Sequence, residues 1–338
     1  MGEPRRLFNE VQLRIRARHM SYRTEKTYLH WIRRFIRFHD RRQPGSMGAQ
    51  EVDKFLTSLA VKNQVSASTQ NQALAAILFL YRDVLEIKLP WLTDVVRAKR
   101  PQHLPVVLTR GEVKRVLERV SGLEWLVVSL LYGTGMRLGE SVQLRVKDVD
   151  LARREILIRD AKGQKDRVTM LPDALIPHLK AQLEQARSLF ERDRRETRPG
   201  VSLPFALKRK YPDAATSWAW YWLFPSPSFS IDPYSQALSR HHLYSQNVQR
   251  AVKLAVRAAG IEKPVSCHTF RHCFATHLLE DSYDIRTVRA ATQANSEATA
   301  SANRSGAVGS IRRYNDGSTS SSSITRNSWP LRTKSARA

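Results

Sequence analysis

Two arginines sit where the surrounding residues could serve chemistry at a phosphate. The first lies in Leu131-Tyr132-Gly133-Thr134-Gly135-Met136-Arg137-Leu138-Gly139-Glu140, beyond a glycine-rich turn and at the start of a helical run. Glycines allow close backbone approach, and a helix start favours an anion. A guanidinium there could grip two phosphate oxygens at once. The second lies in His268-Thr269-Phe270-Arg271-His272, followed by Cys273-Phe274-Ala275-Thr276-His277. His268 and Arg271 are three apart and share a helix face, which suits proton transfer beside a phosphoryl group. Taken singly, each also fits a plainer description: Arg137 as a surface arginine after a turn, His268 with Arg271 as a solvated polar pair. Cys267, His272, Cys273 and His277 raise the question of zinc. Their spacing matches no common structural-zinc pattern and no second ligand pair lies elsewhere, so no metal is expected.

The elements that must position these side chains are mostly helical. In the N-terminal third, Tyr28, Trp31, Ile32, Phe35 and Ile36 fall at helical spacing with Arg33, Arg34 and Arg37 between them. Residues 41–48 carry Pro44 and Gly45 and read as a loop. A second helix follows over 51–61, then a third from the capping run Ser66-Ala67-Ser68-Thr69 to about residue 85, with Leu74, Ile77, Leu78 and Tyr81 on its apolar stripe. A bundle of about four helices with surface arginines accommodates this. The stretch Ala98-Lys99-Arg100-Pro101-Gln102-His103-Leu104-Pro105 reads as an extended linker that could itself lie along DNA. Beyond it, Thr109 and Glu112 have the spacing of a capping box.

Helices are expected to about residue 144. Two short strands, 155–158 and 168–170, then flank Ala161-Lys162-Gly163-Gln164-Lys165-Asp166, a hairpin with a basic tip. Residues 175–192 return to helix with Pro177 in the first turn, and 193–240 read as irregular. Helical spacing resumes over 246–259 and 270–279. From residue 289 onward Ala, Ser, Thr and Asn dominate and no apolar face can be drawn, so 289–338 reads as disordered or aberrant tail. The fold class is mainly α with a small β-hairpin or sheet, α+β.

Composition limits the partner. The 338 residues carry a formal net charge of +25, with basic residues spread along the chain. Such a charge disfavours compaction unless a polyanion is a regular partner, and nucleic acid is the first candidate, ahead of an anionic membrane surface. Two cysteines exclude a disulfide framework. No apolar run long enough for a transmembrane helix and no secretory h-region are present, so a cytoplasmic location is expected, associated with the nucleoid where nucleic acid is the partner.

Taken jointly, Gly135-Met136-Arg137-Leu138-Gly139-Glu140, a hairpin with Lys162, and His268-Thr269-Phe270-Arg271-His272 resemble, in order and spacing, the signature of tyrosine recombinases. The resemblance covers roughly residues 10–288 and includes Tyr22-Arg23-Thr24-Glu25-Lys26-Thr27-Tyr28. It implies a helical core-binding, SAM-like DNA-binding domain at 1–97, a linker at 98–108 and a catalytic domain at 109–288. It implies that Arg137 and Arg271 hold the scissile phosphate, that Lys162 is general acid to the leaving 5′ oxygen, that His268 assists proton transfer, and that Glu140 supports the site. Because a phosphotyrosine bond conserves the energy, the family needs no cofactor.

The segment from about 204 to 252 holds Lys208-Arg209-Lys210-Tyr211-Pro212, Trp218-Ala219-Trp220-Tyr221-Trp222-Leu223-Phe224-Pro225 and Arg240-His241-His242. It resembles the insertion of integron integrases, which recombine a folded single-stranded cassette site as well as a duplex integron site. Aromatic and proline faces can stack on protruding bases without reading sequence. The resemblance therefore places Lys165, Lys208, Arg209, Lys210, Trp218, Trp220, Pro225, His241 and His242 at DNA. Of the three closely spaced tryptophans, at least one is expected in a core and at least one near DNA.

The family pattern holds through Asp284-Ile285-Arg286-Thr287-Val288 and then stops. In register, a second histidine belongs near Ala294 and the nucleophilic tyrosine near Asn303. Tyr314 is the only tyrosine downstream, and Tyr283 lies upstream where the family often has a non-catalytic one. A reading-frame change would produce such a break. The missing part normally supplies a helix that docks on a neighbouring protomer, so a homo-oligomer on DNA is expected only of a chain with an intact C-terminus. Two functions follow: a recombinase by descent with impaired cleavage, or a non-catalytic DNA-binding protein that occupies or competes for integron sites.

Overall fold

Serine side chains start two of the N-terminal helices. Ser21 Oγ accepts from Thr24 N at 3.1 Å and Ser66 Oγ from Thr69 N at 3.3 Å, each satisfying a donor that the first helical turn leaves unpaired. The computed structural model describes residues 3–87, 104–161, 165–203, 205–233 and 235–282. Residues 98–103 of the linker, Lys162, Tyr283, the positions of Ala294 and Asn303, Tyr314 and the tail 289–338 lie outside the described residues. The chain divides into two compact units between His103 and Leu104.

The first unit contains α1 (Glu3–Ala17), α2 (Tyr22–Phe38), α3 (Ala49–Val61) and α4 (Ala67–Phe79). The third expected helix ends earlier than its apolar stripe suggested, because Leu80–Val84 widens into a π turn. Trp31, Phe35, Phe55, Leu59, Ile77 and Tyr81 form one core, and Val11, Ile15, Ile32 and Leu80 a second beside it. The Tyr81 hydroxyl donates to the carbonyls of Pro44 at 3.0 Å and Met47 at 3.1 Å, pinning the expected loop. Arg33 and Arg37 stand exposed on α2.

The second unit opens with α5 (Arg110–Leu117), capped as its sequence implies: Thr109 Oγ1 accepts from Glu112 N at 3.2 Å, and Glu112 Oε2 from Thr109 N at 2.8 Å. Then come α6 (Gly122–Thr134), α7 (Leu138–Val142) and three antiparallel strands, β1 (Val149–Asp150), β2 (Glu155–Ala161) and β3 (Lys165–Met170), in the order β1-β2-β3. The chain continues through α8 (Ile176–Arg195), the short α9 (Phe205–Lys210), an antiparallel pair β4 (Pro225–Ile231) and β5 (Leu238–His242), α10 (Ser245–Ala258) and α11 (Cys267–Glu280). Helix α6 is buried from Leu126 to Thr134 and packs on α11, so the two expected phosphate-side segments meet along the central helix pair.

Two local readings are corrected. Residues 193–240 are not irregular throughout. Pro225 and Pro227 lack a backbone donor and so argue against a strand, yet Pro225–Ile231 pairs with β5 as β4. The ladder is irregular between Pro225 and Phe229, and there Arg240 on the partner strand donates Nη1 to the carbonyls of Ser226 at 3.0 Å and Pro227 at 2.9 Å. Helix α11 also begins three residues before its first apolar periodic position, at Cys267, where Ser266 N donates to Thr269 Oγ1 at 3.0 Å.

Candidate active site

The turn between α6 and α7 is built on one glycine. Gly135 ends α6 with φ +64°, the left-handed region that only glycine enters without strain. A Cβ at this position would lie 2.4 Å from Phe274 Cδ1. The close approach lets Arg271, one turn before Phe274 on α11, donate Nη1 to the Gly135 carbonyl. Two residues on, Arg137 stands at the N-cap of α7. Glu140 accepts Arg137 N on Oε2 at 2.8 Å and Arg137 Nη1 on Oε1 at 2.7 Å, the acidic partner that a helix start favours.

Strand β3 adds a third guanidinium. Arg167 donates Nη1 to Glu140 Oε1 at 3.1 Å and Nη2 to Oε2 at 2.5 Å. Its neighbour Thr169 donates Oγ1 to the Thr134 carbonyl at 3.1 Å, at the end of α6. Burial by itself would raise the Glu140 carboxyl, but Arg167, the Arg137 backbone and the Arg137 side chain together hold it at about 2. Burial lowers Arg271 to about 10, and the charges of Arg137 and Arg167 push the same way. Arg271 remains cationic at neutral pH, in a site with surplus positive charge.

His268 is exposed one turn before Arg271, its ring edge-on to His272 with centroids 4.7 Å apart. Partial burial, then His272, Arg271 and Arg137, lower its pKa, which favours the neutral imidazole at pH 7. The arrangement can bind an oxyanion between Arg137 and Arg271 and exchange a proton with it through His268. His277 is committed elsewhere: its Nδ1 meets the Tyr132 hydroxyl and its Nε2 the Leu108 carbonyl, each at 2.9 Å. Cys273 Sγ accepts from Leu108 N at 3.1 Å. Among the described residues no group of His, Cys, Asp or Glu is placed to hold a metal ion.

Residues 107–301 match the phage integrase family, and residues 7–91 match the N-terminal SAM-like domain of phage integrases. The chain belongs to the phage integrase family. Proteins described as "Integrase/recombinase" from Escherichia coli and Pseudomonas aeruginosa are each 51% identical to it over 284 residues, 84% of this chain and 84% of theirs. "Tyrosine recombinase XerA" of Thermococcus kodakarensis is 29% identical over 302 residues, 86% of each chain. In fold the chain resembles a lambda integrase dimer bound to a COC′ core site, at 14% identity and TM-score 0.57 over 86% of this chain and 94% of that one. It likewise resembles the XerH recombinase bound to a palindromic difH substrate, at 19% identity and TM-score 0.53 over 89% and 83%.

Within this phage integrase family member, the aromatic segment is partly core. Trp222 is 6% exposed and joins Tyr221, Phe190 and Val201 in a separate small cluster. Trp218 and Trp220 are half-buried. Trp218 stacks on Tyr221 with centroids 6.1 Å apart, and Trp220 carries Lys147 Nζ 2.8 Å from its ring centre. Arg145 lies 3.9 Å from the ring centre of Trp222 and 5.5 Å from that of Trp220. Burial, then Arg159, bring the Lys147 ammonium down to about 8.

Lys208, Arg209 and Lys210 are exposed on α9. Lys165 begins β3 opposite Ala161. His241 is half-buried and stacks on exposed Tyr244 with centroids 5.5 Å apart. Pro225 and His242 are buried and paired across β4 and β5, whereas the insertion pattern implied contact with DNA. The cause is local: His242 packs edge-on against Trp222 and bonds the Leu243 carbonyl at 2.8 Å, and burial followed by His241 lowers it to about 4.

Four residues escape sequence reasoning: Arg167, Arg145, Asp193 and Arg240. Arg240 donates Nε to Asp193 Oδ2 at 2.9 Å, both side chains 2% exposed, and Tyr221 donates its hydroxyl to the same oxygen at 2.9 Å. Only Arg167 carried a signal. In Asp166-Arg167-Val168-Thr169-Met170 the polar 167 and 169 alternate with apolar 168 and 170, and it is the polar set that turns inward.

Proposed function

We propose that this chain is an integron-integrase-type recombinase by descent that still holds a DNA phosphate but cleaves DNA weakly or not at all. Site-specific DNA recombination is the activity of the family to which it belongs. The observation that carries the reading is the placing of Arg137 and Arg271 at one spot, one by Glu140 and the other by the Gly135 carbonyl, with net positive charge left over. In this reading the two arginines take the non-bridging oxygens of a phosphodiester and offset the charge that grows in the transition state. Neutral His268 moves a proton at the same phosphate, and Lys162 protonates the leaving 5′ oxygen. Domain 1–97 grips DNA, 98–108 links, and 109–288 carries the chemistry.

Impairment is inferred from Ala294 and Asn303, which stand where the second histidine and the nucleophile belong. The integron assignment rests on the insertion: half-buried Trp218 and Trp220 and the exposed Lys208-Arg209-Lys210 suit a folded single strand with protruding bases. The absent nucleophile favours the second reading too, a protein that occupies recombination sites without acting on them.

One experiment tests both levels. A nicked suicide substrate is offered to the chain as a folded cassette hairpin and as a fully paired duplex of equal length, at fixed salt. The expected result is salt-sensitive binding to both, tighter binding to the hairpin, and no covalent adduct. A strong adduct that disappears in Tyr314→Phe would overturn impairment and make Tyr314 the nucleophile. Equal affinity for hairpin and duplex would remove the integron assignment.

A further inference from the structure

Arg167 is a buried cation that the roles above do not use. Its side chain is 4% exposed, and its Nε finds no hydrogen-bond partner among the described residues. Burying a guanidinium with an unpaired N–H is costly, and an apolar residue would hold a strand on a core at lower cost. The position therefore asks for more than attachment of β3.

The bonding at Glu140 supplies the reason. Four donors share its two oxygens. Oε1 takes Arg137 Nη1 at 2.7 Å and Arg167 Nη1 at 3.1 Å, while Oε2 takes Arg137 N at 2.8 Å and Arg167 Nη2 at 2.5 Å. A carboxylate facing one arginine tends to take it through two parallel N–H bonds. Here Arg167 occupies that fork, and the Arg137 guanidinium meets Glu140 through Nη1. Its remaining edge is then available to a second anion.

We infer that Arg167 is a positioning residue: by taking the two-pronged face of Glu140 it keeps Arg137 from being neutralised and leaves it turned toward the phosphate. The same bond ties β3 to the Arg137 turn, and Lys162 lies only five residues before Arg167 in the chain. Arg167 thereby sets the strand that leaves the Lys162 hairpin against the arginine that grips the phosphate. This rests on the reading of Arg137 and Arg271 as phosphate ligands. The low Glu140 carboxyl agrees with it, since that group stays an anion with four donors at any working pH.

The test uses the full chain, with sulfate as a non-titrating stand-in for a phosphodiester. Sulfate binding is followed by the Nε–H resonances of Arg137 and Arg271, the Glu140 carboxyl carbon is titrated, and thermal melting checks the fold. Arg167→Lys keeps the charge and loses the fork, so a role of charge alone would be rescued and a positioning role would not. We expect Arg167→Lys to bind sulfate about tenfold more weakly, the scale of one charge-assisted hydrogen bond, while melting close to wild type. Arg167→Gln should weaken it at least as much and let the Glu140 carboxyl rise; if that variant fails to fold, the lysine variant decides. Sulfate held equally by wild type and Arg167→Lys would overturn the inference alone. Wild-type Arg137 and Arg271 resonances that ignore sulfate would overturn the phosphate reading and this inference with it.

Discussion

Replacing Gly135 by alanine should damage the second unit through two separable terms. The first is conformational: at φ +64° an alanine sits in the left-handed region at a cost of about 1–2 kcal/mol. The second is steric. The new methyl would lie 2.4 and 2.7 Å from Phe274 Cδ1 and Cε1, so the half-buried ring must swing or α6 and α11 must separate. Overpacking of this kind costs about 1–3 kcal/mol, which brings the expected loss to about 2–5 kcal/mol. Because the chain has two compact units, a single unfolding curve is a poor readout. Hydrogen exchange of the buried α6 amides reports on the affected unit directly. Truncating the ring separates the terms: in Gly135→Ala/Phe274→Ala the steric part should vanish and the conformational part remain, a coupling of about 1–3 kcal/mol. Protection of α6 within about 0.5 kcal/mol of wild type in Gly135→Ala, or strict additivity in the pair, would refute this account of the turn.

Two further outcomes follow from buried charge. Arg240→Met should lower stability by about 3–5 kcal/mol in chemical denaturation, because it strands Asp193 without its cation; a double replacement by apolar residues at 193 and 240 should cost less, and equal losses would show that the pair is not the cause. Glu140 has a folded-state pKa of about 2, below the ordinary glutamate value. Its stabilisation is therefore complete above the unfolded-state value and fades as pH falls from there toward about 2. The stability gap between wild type and Glu140→Gln should narrow from pH ~6 to pH ~3, and a constant gap over that range would contradict the ionised, four-donor carboxylate.

Legibility differed by the kind of signal each segment carries. Helix α2 could be read from its apolar residues at helical spacing, and α4 because its capping run from Ser66 and its apolar stripe agree. The Arg137 turn could be read because its glycines mark a turn and a helical run follows Arg137; that Gly135 takes φ +64° and that Glu140 bonds the Arg137 backbone came only from the structure. The β4–β5 pair could not be read, since Pro225 and Pro227 argue against a strand and Arg240 reaching across to the backbone carbonyls of Ser226 and Pro227 is a contact the local sequence does not announce. Strand β3 was recognised but its faces were not. Polar residues inside at 167 and 169, with Val168 46% and Met170 52% exposed outside, make sense only once Glu140 is known to lie beneath it. Pro225 and His242 resembled DNA contacts in sequence, and the cross-strand packing on Trp222 that buries His242 is non-local.

The order of these residues along the chain bears on what an impaired recombinase can still do. Among the described residues, Arg137, Glu140, Arg167 and the Gly135 carbonyl that accepts from Arg271 are joined by hydrogen bonds between residues 135 and 271, and α11 is seated on α6, inside the core of the second unit. The nucleophile expected by family resemblance belongs near residue 303, outside that set. In the proposed reading, holding a phosphate and attacking it therefore draw on different stretches of sequence. Many cations contribute to backbone binding, whereas attack depends on one preorganised hydroxyl. In the proposed reading, a change confined to the residues after 288 would remove cleavage while leaving the hydrogen bonds among Arg137, Glu140, Arg167 and Gly135 and the exposed lysines and arginines in place. That asymmetry is what would let such a chain occupy a site that an intact relative needs.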